Sequence, residues 1–173
     1  MTINSGVEVS QGGHFSSMIA NGYYNYSNSS DPRTGYASGT NAATPKLTIE
    51  GGTFSGGLNT VKNDDGAELT INGGDFSNVS QAVVQNHHIT IINGGTFDAT
   101  KAKYVVDNAG DKSAHDNGKM TITGGIFKGI IHDRNTGNAL IITGGSFTDQ
   151  NAKDYANGTD KENVTIITGD TSN

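Results

Sequence analysis

The chain has no cysteine and no tryptophan, only two prolines among its 173 residues, few basic residues and no long apolar run. Without cysteine there is no disulfide framework, no thiolate zinc site and no thiol nucleophile, which leaves the cytosol and a cysteine-poor bacterial exterior equally open. Eleven Lys and Arg against seventeen Asp and Glu give a net charge of −6. The cations are scattered and do not form the stripe that a phosphate backbone or an anionic bilayer requires, so neither nucleic acid nor membrane insertion is expected. No segment approaches the roughly 20 apolar residues that cross a bilayer. The opening MTINSGVEVS lacks the basic and apolar regions of a secretory signal, an absence that carries no weight if the sequence is a piece of a longer protein.

What is present is glycine, 25 residues of it, and a modest 32% of hydrophobic residues. That balance suits many short strands joined by tight turns and argues against a helical bundle. Self-similarity is the dominant signal. LTIEGGTF (47–54), LTINGGDF (69–76), TIINGGTF (90–97), MTITGGIF (120–127) and LIITGGSF (140–147) align without gaps. Weaker relatives are MTINSG (1–6), SQGGHF (10–15) and VTIITGD (164–170). With phenylalanine as the marker, Phe15, Phe54, Phe76, Phe97, Phe127 and Phe147 are separated by 39, 22, 21, 30 and 20 residues. The period is therefore 20–22 residues, and the two long intervals hold inserted loops at 20–45 and 107–119.

Within each copy Leu47 and Ile49 face one way and Thr48 and Glu50 the other, the alternation of a half-buried strand. A glycine pair turns the chain, the phenylalanine opens a second strand, and a third apolar cluster follows: Leu58 and Val61, Val83 and Val84, Val105 and Val106, Ile130 and Ile131. Stacked coils place equivalent residues about 4.8 Å apart, so the five strong phenylalanines should form an internal ladder. The expected fold is all-β: a right-handed parallel β-helix of five to six coils, one domain over residues 1–173. The leucine-rich, calcium-binding nonapeptide and hexapeptide patterns are all absent. The repeat resembles the pectin-lyase-like parallel β-helix superfamily, especially bacterial surface proteins with TITGGTF-like coils. The resemblance covers residues 46–170 and speaks for fold more than for function.

Two places can carry function. The insertion NGYYNYSNSSDPRTGYASGTNAATPK (21–46) holds Tyr23, Tyr24, Tyr26 and Tyr36, amphipathic rings that suit sugar faces or peptide side chains, although such rings also serve simply to cover the coil beneath. The second is a polar edge after the third strand of each coil: Asn63, Asp64, Asp65; Asn86, His87, His88; Asp107, Asn108; His132, Asp133, Arg134, Asn135. From it His132 and Asp133 are the expected ligand-binding residues. The edge is also what turn chemistry alone would produce. Polysaccharide hydrolases of the resembled fold carry an Asp pair with a later His and a basic residue, an order loosely matched by Asp64, Asp65, His87 and Arg134. Here the Gly-His-Gly setting is replaced by Asn86-His87-His88, and a coil intervenes before Arg134. No motif requires a cofactor or a metal; calcium is the one ion that edge carboxylates would suit. Nucleotide, esterase and zinc-protease motifs are missing, and an ice-binding threonine array is interrupted at Ile91 and Ile141.

A solenoid exposes strand edges and core at both ends, and neither end of this sequence shows an amphipathic capping helix. The expectation is a non-catalytic extracellular or cell-surface stalk, fibre or adhesin. It stacks end to end with copies of itself or belongs to a longer surface protein, and it contacts glycan or host protein. A polysaccharide lyase or glycoside hydrolase is the alternative, and a phage fibre or spike segment the third.

Overall fold

Lys46 is exposed while Leu47 and Ile49 are buried, with Thr48 between them half-buried, and the same in-out alternation recurs in every later copy of the repeat. In a computed structural model these strands stack as a right-handed parallel β-helix. Residues 1–22, 44–64, 66–109, 118–135 and 137–167 are described. The first coil consists of β1 (Thr2–Ile3), β2 (Glu8–Gln11) and β3 (Ile19–Asn21). The second is β4 (Lys46–Ile49), β5 (Thr53–Gly56) and β6 (Asn59–Asn63), and the third β7 (Glu68–Ile71), β8 (Asp75–Ser77) and β9 (Ala82–Asn86). The fourth holds β10 (Ile89–Ile92), β11 (Thr96–Asp98) and β12 (Tyr104–Asn108), and the fifth β13 (Lys119–Ile122), β14 (Ile126–Lys128) and β15 (Ile131–Asp133). A sixth begins with β16 (Leu140–Ile142) and β17 (Gly145–Phe147). The chain then forms a 3-10 segment (Gln150–Tyr155) and a short helix α1 (Asp160–Asn163), and ends its described part in β18 (Val164–Ile166).

Equivalent strands pair in parallel to make three sheets: β1-β4-β7-β10-β13-β16, β2-β5-β8-β11-β14-β17-β18 and β3-β6-β9-β12-β15. The expected phenylalanine ladder lies in the second sheet. Phe54, Phe76, Phe97, Phe127 and Phe147 are all buried, with successive ring centroids 5.1, 4.9, 4.6 and 4.8 Å apart in near-parallel stacks. Beside it run Leu47, Leu69, Met120 and Leu140 and the isoleucines Ile49, Ile71, Ile92, Ile122 and Ile142 in one continuous core. At Gly94-Gly95 neither position admits a side chain. Gly95 has φ +112°, and a Cβ on it would sit 2.9 Å from the carbonyl oxygen of Gly74 one coil below. A Cβ on Gly94 would lie 2.8 Å from Asn72 O. The glycine pair therefore sets how closely the coils approach.

The first coil departs from the sequence reading. Val9, not Phe15, pairs with Phe54, and Phe15 is fully exposed. The true first copy is MTINSGVEVS, with one extra residue at the corner, because Ile3 aligns with Ile49 while Val9 aligns with Phe54. The second insertion also starts later than its polar composition suggests, since β12 runs through Asp107 and Asn108. No described helix is long and apolar enough to cross a membrane.

The C-terminal side of the stack is closed. Asp149 caps the 3-10 segment by accepting from Asn151 N. Its other carboxylate oxygen takes the amide of Ile131 at 2.8 Å, and Thr148 Oγ1 takes that of Gly129 at 2.9 Å, so side chains replace the strand that would otherwise follow β15. Ala152, Ala156 and Tyr155 pack onto the core there. The expectation that no cap exists is thus corrected at this end, where a 3-10 turn does the work of a helix.

Candidate functional site

The polar run at the end of each third strand divides by strand parity. Asn21, Asn63, Asn86, Asn108 and Asp133 occupy one register position and point inward as a directional ladder. Each amide donates to the Oδ1 of the next residue at 2.8, 3.0, 2.8 and 3.1 Å in turn. The side chains also take the carbonyl groups of the following turns, as in Asn63 to Ala67 and Asn108 to Gly118. Asp133, expected to meet ligand, is the acceptor that ends this ladder and also binds Asn135.

The residue one position earlier faces outward, giving the row Lys62, Gln85, Asp107 and His132. Asp107 is the centre of this row and its side chain is wholly buried. Gln85 donates to its Oδ2 at 3.0 Å, His132 Nδ1 lies 2.9 Å from Oδ1, and Arg134 forks onto both oxygens through Nε and Nη2. Burial pushes the carboxyl up, but the bonds from Gln85, His132 and Arg134 outweigh it and hold Asp107 below its ordinary value of 3.8. An ionised carboxylate only accepts, so His132 carries its hydrogen on Nδ1 and turns Nε2 outward. The imidazole stacks on the Tyr104 ring, centroids 4.4 Å apart and planes within 9°. Lys103 Nζ lies 5.0 Å from the centre of that ring. His132 and Arg134 remain 39% and 38% exposed, enough to touch a ligand.

The remaining expected residues are placed differently. Tyr23, Tyr24, Tyr26, Tyr36 and Asp65 lie outside the described residues. Asp64, His87 and Arg134 occupy the position just past the third strand, each amide bonding the carbonyl group one coil below, and Ala109 fills the level between His87 and Arg134. Asp64 is buried and paired with Lys62 at 2.7 Å, while Arg134 turns to Asp107. The structure thus brings His132 and Arg134 together and sets Asp64 and His87 at neighbouring levels apart from them. Among the described residues no three His, Asp or Glu side chains converge as a metal site.

The sequence reading included Asp107 only in the polar run, and it missed Gln85, Lys103 and Tyr104. The available signal was Tyr104 itself, an aromatic residue at a register position where the two preceding coils carry Ala82 and Asn59. The chain matches no protein-family model, no curated protein and no solved structure.

Proposed function

We propose that this β-helix is a non-catalytic extracellular or cell-surface scaffold, a stalk or adhesin of pectin-lyase-like descent, that presents the outer face of its third sheet to a glycan. The observation that carries the reading is the concentration of ring and cation chemistry there. The outward rows of the first two sheets hold Thr, Ser, Ile and charged residues of both signs, among them Lys119, Glu68, Asp75 and Lys128, but no aromatic ring, whereas the third gathers Tyr104, His132, Arg134 and Lys103 around one buried carboxylate. Aromatic rings flanked by fixed hydrogen-bond donors are the usual means of holding a pyranose. A glycan array probed with the chain and with Tyr104→Ala tests this. Signals that vanish in the variant support it; equal signals from both proteins remove the strip from the function.

The N-terminal edges of β1, β2 and β3 face no further described strand, which supports stacking on another coil, supplied by a second copy or by more of the same surface protein. Light scattering across a concentration series tests the first of these.

One observation favours a second reading, a polysaccharide-active enzyme. A buried Asp that fixes the tautomer of a half-exposed His is the geometry of a positioned base. Release of new reducing or unsaturated ends from a polysaccharide, abolished in His132→Asn, would establish it.

A further inference from the structure

Resting on the glycan reading above, we infer that the group this strip recognises is a tetrahedral oxyanion, a sulfate ester on a saccharide. The argument is one of donors and acceptors. Both oxygens of Asp107 are consumed by Gln85, His132 and Arg134 and are buried, so the carboxylate offers nothing outward. What faces solvent is mainly donors, the remaining terminal nitrogen of Arg134 and the ammonium of Lys103 beside Tyr104, with Nε2 of the Nδ1-protonated His132 as an acceptor among them. Lys101, also exposed, lies two residues before Lys103. Asp98, an outward carboxylate of the same coil as Lys103, is already held by Lys128 at 3.8 Å and by the amide of Thr100 at 3.0 Å.

A neutral sugar needs acceptors for its hydroxyl hydrogens as well as donors for its oxygens, and this surface supplies mainly donors. It is also a locally cationic spot on a chain of net charge −6, which otherwise repels anions. The geometry further separates kinds of anion. A planar carboxylate is best bound by the two-pronged edge of an arginine, and that edge of Arg134 is spent on Asp107. The single-point donors of Lys103, Lys101 and the outer nitrogen of Arg134 remain, and these suit an ester sulfate with its three free oxygens.

The test is titration calorimetry of the whole chain with a chondroitin sulfate hexasaccharide, the same hexasaccharide after chemical desulfation, and cellohexaose. Inorganic phosphate and inorganic sulfate serve as competitors, and Lys103→Glu as the variant, since that exposed side chain lies outside the Asp107 hydrogen-bond network. Binding of the sulfated sugar alone, weakened about tenfold or more in Lys103→Glu and falling with added salt, is the expected result. Equal binding of the desulfated sugar, whose uronates persist, or of cellohexaose overturns the sulfate inference and leaves the glycan reading standing. Stronger competition by phosphate than by inorganic sulfate also overturns it, in favour of a phosphoester. Binding of none of the three sugars removes both.

Discussion

At the scale of single residues the molecule turns on Asp107, a carboxylate withdrawn from water yet kept ionised. Its folded pKa lies below the ordinary 3.8, so the stability it contributes is complete above that value and is lost as pH falls through the lower, folded one. Asp107→Asn keeps the shape but gives up the charge-assisted bonds to Arg134 and His132, and should cost about 1–2 kcal/mol at pH 7. The partly exposed guanidinium limits the cost by turning to water. Urea unfolding at pH 7 and pH 3 checks this: the gap between wild type and variant should narrow at the lower pH, and a gap that stays constant or widens would contradict the assignment. None of this was legible in the sequence, where Asp107 stands in a polar run beside Asn108. Its partners come from 22 residues before and 25 and 27 residues after it, and only the coil register says which of two adjacent polar residues faces outward.

At the scale of the elements, two ladders hold the coils in register, and they differ in how visible they were. The phenylalanine ladder could be read directly, because LTIEGGTF and its four relatives repeat the ring and the glycines at fixed offsets. It failed only in the first coil, where valine takes the place of phenylalanine and an extra corner residue shifts the frame. The asparagine ladder was hidden, since asparagine after a strand reads equally well as a turn residue. Its effect on stability should be large. Asn86 donates to His88 O, Asn108 and Lys119 O and accepts from Asn63, the His88 amide and Thr90. Asn86→Ala strands several buried groups and should cost about 3 kcal/mol or more. Asn86→Asp, which cannot donate, should recover little, and thermal melts of the pair decide this. Gly95→Ala meets both a φ of +112° and the Gly74 carbonyl group. A loss of at least about 2 kcal/mol is expected, whereas Ala at Gly137, where a Cβ meets nothing within 4 Å, should cost less and only through its φ.

Across the whole molecule, stability should be graded along the stack, because in a solenoid each coil is held mainly by its neighbours. The strands from β4 to β14 are paired on both sides, and β15 has β12 on one side and the Thr148 and Asp149 side chains on the other. The first coil is not so held: β1 is two residues long, and Val7, Val9 and Met1 are exposed. The opposite end is sealed by Thr148, Asp149 and the alanines of the 3-10 turn. This asymmetry predicts that opening starts at the N-terminal coil. In native-state hydrogen exchange, amides of β2 and β3 should exchange fastest, those of β9 and β12 slowest, and those of β15 nearly as slowly as the interior. Asp149→Ala tests the seal, since it removes both the acceptor for Ile131 N and the cap on Asn151 N. Exchange at Ile131 should accelerate by at least about tenfold, the factor that roughly 1.4 kcal/mol corresponds to, while β5 and β6 stay unchanged because several coils separate them from the substitution. Acceleration spread evenly over all coils would mean that the stack unfolds as one unit, and the picture of a β-helix sealed at one end and open at the other would have to be abandoned.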